Sequence, residues 1–401
     1  MSPSDRILVV TQQLGSVRTG VGTYANHLVA GLRDRGLRVC VATFAESCGE
    51  LAGVDYVRLD RVGWDPTPGA WYSVARGLAR KLRGRRFDLV HFTDAREALG
   101  HVLKAPAVGT VHDAYALDCP RSPLRLRRDH PDWARRAIYY AVLRRLEPVA
   151  YRRLSFVMTN AEDTRRKIVA GYGLDPGRVR TVRYGIDAPG PVAPEPLEGN
   201  PAVLFAGSNF FRKGLHQLVL AVHRTVGSLP GLRVHVAGAD PNRSAIEALA
   251  ARLGVADRLR FHGRVPRPRL LAMMAGAELF CMPSRTEAYG LVFLESMALG
   301  TPVIGGRAGG TPELIRHGVN GLLVDPEDAG DLARQLIRLQ RDERLRERLV
   351  RGGRETLDHH SVDAMLEATL EVYRGLGVGG APTRVPRRDP QACETVTEAV
   401  S

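Results

Sequence analysis

Residues 283–310 read PSRTEAYGLVFLESMALGTPVIGGRAGG, and an apolar run leads into each end of this stretch, ELFCMP at 278–283 and PVIGG at 302–306. Short runs of that kind, bounded by Pro and Gly, fit buried strands, and the residues between them predict a helix over Gly290 to Leu299. Glu287 falls in the loop after the first strand, and Glu295 lies eight residues on, a little over two helical turns. One carboxylate then sits at the mouth of a crevice while the other approaches it from the helix face. The amides of Tyr289, Gly290 and Leu291 point between them, and free amides at a helix start favour phosphate.

The same alternation of apolar run and amphipathic stretch extends in both directions. AVLFAG (202–207), RVHVAG (233–238), RLRFHG (258–263) and GLLVD (321–325) complete six expected strands in the second half. In the first half, strands are expected at Arg6 to Thr11, Leu37 to Thr43, Phe87 to Phe92, Ala107 to Val111 and Phe156 to Thr159. This is the pattern of α/β layers with parallel sheets. Between the halves, DAPGPVAPEPLEGNP (187–201) holds five prolines and reads as a linker. The expected organisation is a first Rossmann-like domain at 1–187, the linker at 188–201 and a second such domain at 202–358. A terminal helix at 359–376, returning towards the first domain, and a disordered tail at 377–401 follow it.

A chain of 401 residues exceeds the size at which one core keeps growing, in keeping with two domains. Apolar residues at 44% and charged residues at 25% exclude whole-chain disorder. No run approaches the roughly 18 to 20 apolar residues needed to cross a bilayer, and the start MSPSDRILVVTQQ lacks the features of a secretory signal, so a cytoplasmic location is expected. The five cysteines (Cys40, Cys48, Cys119, Cys281, Cys393) have neither disulfide-framework nor zinc-site spacing. The net charge of +14 is carried almost wholly by arginine, only four of the 57 basic residues being lysine, which points to a coding bias before a nucleic-acid partner. With no zinc finger, helix-turn-helix spacing or aromatic platform, nucleic-acid binding rests on charge alone.

A second cluster, GSNFFRKG (207–214), joins the first strand of the second half to a helix. A lysine at a helix start beside glycines can pair with a diphosphate, which makes Lys213 the expected phosphate ligand. Together with Glu287, Gly290, Glu295, Gly300, Pro302 and the Gly309–Gly310 pair, this chain resembles the retaining glycosyltransferases of the GT-B fold, in particular family 4 with its Glu-x7-Glu signature. The resemblance covers most of the chain. It implies two Rossmann-like domains facing a central cleft. It also implies transfer of a hexosyl or N-acetylhexosaminyl group from a nucleotide diphosphate sugar, a UDP-sugar ahead of a GDP-sugar. The acceptor would be a hydroxyl on a glycan, a lipid-linked molecule or a small natural product. Glu287 would then lie against the donor sugar and Glu295 against the ribose hydroxyls. Ser208 stands where the family most often has an arginine, so Arg212 or Ser208 itself would serve the phosphate there.

In the first half, SVRTGVGTY (16–24) opens a helix after a strand, with Gly20 and Gly22 placed for close backbone approach. A nicotinamide site would want a third glycine where Ala25 stands; the resemblance instead makes this loop a flap on the diphosphate. By the same resemblance His112 binds a sugar hydroxyl and joins Glu287 and Lys213 in the catalytic set. Asp113 and Asn160, also at strand ends, are acceptor candidates, and the backbone of Gly263, Arg264 and Val265 meets the base. No enzyme nucleophile and no metal are expected, since the leaving diphosphate can be met by Lys213, Arg212 and helix-start amides and no clear Asp-x-Asp is present. A GT-B epimerase and an inactive glycan-binding relative are the alternatives. Finally, residues 121–153 carry ten arginines against three acidic residues with apolar residues interleaved, a pattern that fits an outer helix in solvent or peripheral contact with an anionic membrane at its inner surface.

Overall fold

The computed structural model describes residues 6–15, 20–44, 51–60, 68–101, 103–118 and 133–378. The expected tail from 379 onward, the basic residues 121–132, the flap residues 16–19 and Cys48, Cys119 and Cys393 lie outside them. Seven strands form the first sheet: β1 (Arg6–Val10), β2 (Arg38–Phe44), β3 (Asp55–Leu59), β4 (Leu89–Phe92), β5 (Ala107–Val111), β6 (Phe156–Thr159) and β7 (Val179–Thr181). Six form the second: β8 (Ala202–Ala206), β9 (Arg233–Ala237), β10 (Leu259–Gly263), β11 (Leu279–Met282), β12 (Val303–Gly306) and β13 (Leu322–Val324).

The strand orders are β3-β2-β1-β4-β5-β6-β7 and β10-β9-β8-β11-β12-β13. All pairings are parallel. Each sheet is therefore the same doubly wound unit, with the direction of winding reversing between its first and fourth strands, where such sheets leave a crevice. Helices cover both faces, so the central strands are buried throughout: β1, β2, β4 and β5 show almost no exposed residue. Successive residues of one strand serve different cores. Ile7 and Val9 belong to the core that runs on into the second lobe, and Leu8 and Val10 to a separate one on the opposite face.

Two of the seven strands in the first sheet escape the sequence reading. Both β3 and β7 are edge strands, one half-exposed and carrying charge at Asp55 and Arg58, the other three residues long. The expected strands at 6–11, 37–43 and 87–92 are each shifted by one or two residues at an end.

The chain crosses between lobes twice, and the two crossings lie side by side: Ile186 bridges Ser361 and its amide donates to the His360 carbonyl at 2.9 Å. After the second crossing, the helix Val362–Gly375, capped by Ser361, lies on the first lobe. Gly31 in the helix Gly20–Asp34 makes that contact close, because a Cβ there would fall 2.1 Å from Leu366 Cδ1. Arg35 pairs with Asp363 and Glu367, and Arg180 with Glu371. Deeper in, Tyr373 bonds His91 Nδ1 at 2.5 Å, while His91 Nε2 reaches Thr110 Oγ1 at 3.0 Å. Among the described residues no helix is long and apolar enough to cross a membrane.

His91 is fully buried, and burial, aided by the neighbouring His112, pushes its pKa from 6.5 down to about 3. The folded protein keeps this imidazole neutral while the unfolded chain takes up a proton below about pH 6.5. Its contribution is thus complete above that pH and is lost as the pH falls. We expect the folded state of the parent to lose up to about 1.4 kcal/mol per pH unit more than His91→Gln between roughly pH 6 and 4. Urea titrations across that range measure it, and parallel profiles for the two proteins would refute the assignment.

Candidate functional site

The crevice of the second sheet opens at the carboxyl ends of β8 and β11, and the two conspicuous sequence clusters both fall there. The loop after β8 carries Arg212 and Lys213, and the loop after β11 carries Glu287. Lys213 Nζ lies 3.4 Å from Glu287 Oε2, with side chains only 15% and 11% exposed. Arg212 stands 4.0 Å from the same oxygen, donates to the Thr286 carbonyl at 3.0 Å, and lies 4.3 Å over the Tyr115 ring of the first lobe. Burial is the largest influence on the Glu287 carboxyl and would raise its pKa. Lys213 and Arg212 together outweigh it and hold the group below its ordinary value.

Gly290 ends this loop with φ of 89° and gives the helix Leu291–Ala298 its start without any side-chain cap. A Cβ at that residue would fall 2.7 Å from Phe293 Cδ2, and only glycine takes such a φ at little cost. The first amides of this helix have no intrahelical acceptor. Across the crevice the helix Gly20–Asp34 begins at Gly20, where a Cβ would lie 3.6 Å from Leu291 Cδ1, and Gly22 is buried two residues on. Two helix starts and two cations therefore converge around one carboxylate, an arrangement suited to an anion with hydroxyl groups attached.

Glu295 is 4% exposed and receives Arg267 Nη1 at 2.6 Å. Arg267 opens the helix that follows Gly263, Arg264 and Val265, so the second carboxylate is tied to the turn expected to meet the base. Ser208, two residues beyond the end of β8, is exposed, and so is Arg264. The Tyr289 side chain turns away from the crevice: its hydroxyl donates to the Tyr184 carbonyl at 3.0 Å and bonds His360 Nδ1 at 2.5 Å, at the paired crossings. Only the backbone of Tyr289 faces the site.

In the first lobe the expected site residues are held by partners of their own lobe. His112, expected as a sugar ligand, has both ring nitrogens occupied, Nε2 by the Thr93 carbonyl and Nδ1 by the Tyr184 hydroxyl. Asp113, expected at the acceptor, instead receives Arg96 at 2.8 Å and the Tyr115 amide at 3.2 Å. The buried imidazole and the partly buried carboxylate are thus both satisfied within the lobe. Asn160 donates from Nδ2 to the His112 carbonyl at 2.9 Å and keeps a buried Oδ1 without a protein partner.

Several residues that shape the site left no local mark in the sequence. Besides Tyr115, Asp118 accepts from Thr286 Oγ1 across the cleft at 2.9 Å. Glu313 of the second lobe accepts from the amides of Glu162 and Asp163 at 2.8 and 2.7 Å. It caps the helix Glu162–Tyr172, whose own N-cap, Ala161, has no side chain able to do so. Among the described residues no three His, Cys, Asp or Glu side chains are grouped to hold a metal ion.

Two sheets of one topology, facing each other over an anion-favouring crevice and stitched by a returning C-terminal helix, define the GT-B class of folds. Known proteins agree. The model described as Glycosyltransferase Family 4 matches residues 18–188, and that of Glycosyl transferases group 1 matches residues 192–356. A D-inositol 3-phosphate glycosyltransferase of Nocardia farcinica is 30% identical over 353 residues, 79% of this chain and 74% of that protein. Its counterpart in Acidothermus cellulolyticus is 37% identical over 237 residues, 54% of this chain and 52% of the relative. In this and the other foremost matches the chain spans about half the length of the curated relative. The structure of Anabaena HepE in complex with UDP and glucose shares the fold, with a TM-score of 0.68 at 20% identity over 92% of this chain and all of that one. The chain belongs to the group 1 glycosyltransferases.

A double-mutant cycle checks the central pair. Lys213→Met and Glu287→Gln, alone and combined, should show a favourable coupling of about 1–3 kcal/mol in urea unfolding, since each single change strands a largely buried charge. Strict additivity would mean that the two groups do not sense each other.

Proposed function

We propose that the protein moves a hexosyl or N-acetylhexosaminyl group from a nucleotide diphosphate sugar to a hydroxyl acceptor, with retention of anomeric configuration and without a metal ion. The observation that carries this reading is the Lys213–Glu287 pair set between the starts of the helices Gly20–Asp34 and Leu291–Ala298. In it, the diphosphate lies against Lys213 and the amides near Gly290 and Leu291, with the backbone of Gly20 and Gly22 closing from the other lobe. The transferred sugar rests on Glu287, the ribose on Glu295, and the base on the turn Gly263 to Val265. Ser208 at the rim offers its hydroxyl to the phosphates.

Charge grows on the diphosphate as the glycosidic bond breaks, and fixed cations and amides in a closed cleft stabilise that charge without reorganising. The leaving phosphate oxygen takes the acceptor's proton, so no enzyme nucleophile takes part. Glu287, held as a carboxylate by its cations, serves to position sugar hydroxyls. The acceptor enters at the carboxyl ends of the first sheet, above the buried and unpartnered Oδ1 of Asn160, and His112 holds the Asn160 and Tyr184 side of that floor in place. UDP is favoured over GDP because HepE was solved with UDP. The names of the relatives support a phosphorylated polyol as one acceptor class.

A thermal-shift panel of UDP, GDP, ADP and dTDP tests the donor site. UDP should give the largest rise, and Lys213→Ala should weaken it about 10- to 100-fold, as expected for losing a charge-assisted contact; Glu295→Ala should weaken it as well. No response to any of the four nucleotides would remove the reading. With a turning-over UDP-sugar, proton NMR of the product should show the donor's anomeric configuration and EDTA should leave the rate unchanged. An inverted product or a strict manganese requirement would overturn the mechanism.

A further inference from the structure

At the carboxyl ends of β1 and β4, where the first sheet reverses its winding, the chain gathers carboxyl groups. Asp94 follows β4 and caps the short helix Ala95–Gly100, with its side chain 23% exposed and 3.4 Å from Arg96. Glu97, three residues on, is 1% exposed. Its Oε1 takes the Gln12 amide at 3.1 Å, and its Oε2 has no protein partner. Arg96 is shared among Asp94, Asp113 and Glu147. With Glu97, four carboxyl groups therefore stand around one guanidinium among the described residues. The surplus is acidic in a chain whose net charge is +14, so composition does not account for it. Asn160, bound through Nδ2 to the His112 carbonyl next to Asp113, also keeps a buried oxygen without a partner.

We propose, on the reading that the acceptor enters at this end of the first sheet, that the acceptor is a polyhydroxylated compound carrying a primary ammonium group, which seats on Asp94 with the buried Glu97 behind it. An ammonium brings three donors and no acceptor, which suits a partly exposed carboxylate backed by open acceptor oxygens. Burial, and then Asp94, push the Glu97 pKa well above that of an ordinary carboxyl, so this group holds a proton when no cation is near. An ammonium on Asp94 takes over the role of that proton, which leaves to solvent, and the contact becomes charge-assisted. A neutral hydroxyl in the same place gives a weaker bond. A phosphate brings negative charge and acceptor oxygens to carboxylates, so the phosphorylated polyol of the relatives' names is the disfavoured acceptor here. Transfer still goes to a hydroxyl of the acceptor. Asp113 opens the turn that leads to Tyr115, whose ring lies 4.3 Å from Arg212, so the ammonium seat and the donor site share one crevice.

Calorimetry on the full chain, first with UDP and then on the UDP complex, is the experiment. Three probes carry one ring with different charge: scyllo-inosamine, myo-inositol and myo-inositol 3-phosphate. The amine should bind about 10- to 100-fold more tightly than the neutral ring, and the phosphate most weakly. Asp94→Asn should remove about tenfold or more of the amine's advantage and leave the neutral ring within about twofold. Glu97→Gln, nearly isosteric, should act in the same direction. Should it fail to fold, Asp94→Asn decides, because it leaves Arg96 its two other carboxylates. A phosphate that binds as tightly as the amine, an amine no tighter than the neutral ring, no binding of any probe, or an Asp94→Asn variant that keeps the preference would each overturn the proposal. Absence of any UDP response would remove the donor reading as well, whereas a normal UDP response with the wrong order of probes removes the ammonium seat alone.

Discussion

An ammonium and a carboxylate taken out of water each need a partner of opposite charge, and the pairing of Lys213 with Glu287 is the constraint around which this molecule is arranged. The two groups come from loops 74 positions apart in sequence, and they meet because β8 and β11 are neighbours in the sheet. Neither loop could be placed freely. Gly290 must take a left-handed conformation to start its helix beside Glu287, and the Gly310 amide donates to the Glu287 carbonyl at 2.8 Å. The second cation, Arg212, then links this pair to Tyr115, so that the electrostatics of one lobe are completed by an aromatic ring of the other.

That dependence extends to how the lobes meet. Glu313 supplies the cap that Ala161 cannot, Thr286 donates to Asp118, and the last helix is held on the first lobe by His91 and by Arg35. Most of these contacts are polar and at least partly exposed, which makes each worth little alone. Tyr289 is different: fully inside, it joins the loop of Glu287 to His360 and to the Tyr184 carbonyl, where the two chain crossings run together. A change in the relative position of the lobes would have to be accommodated at those crossings. Tyr289 connects that place directly to the start of the helix Leu291–Ala298.

How much of this the sequence displayed depends on the range of the interaction. The six strands of the second sheet were legible because buried parallel strands are written as compact apolar runs. The edge strands β3 and β7 were not, since an edge needs only one buried face and little length. Glu287, Glu295, Lys213 and Gly290 stand in motifs whose spacing is local. Tyr115, Arg267 and Glu313 act through partners 28 to 151 residues away, and nothing near them in the chain marks the connection. His112 is instructive in another way. A strand end facing a crevice could be recognised, but the occupancy of both imidazole nitrogens by Thr93 and Tyr184 is decided by strands and crossings that only the folded chain brings together.

The same pair also limits what Glu287 can do. A carboxylate whose pKa is held down by two cations is a poor proton acceptor, and in the proposed reaction an incoming diphosphate would compete with it for Lys213. Phosphate brings more negative charge than one carboxylate and shares the helix-start amides, so it wins the ammonium when it binds. Glu287 must then find hydrogen-bond donors in a buried place, and the hydroxyls of the attached sugar are the donors that arrive with the phosphate. A bare nucleotide diphosphate would take the ammonium and leave the carboxylate with the more distant Arg212, whereas the sugar nucleotide would repair both halves of the exchange. On the proposed reading the resting salt bridge would favour the complete donor over its own leaving group, a preference that would let a spent diphosphate depart.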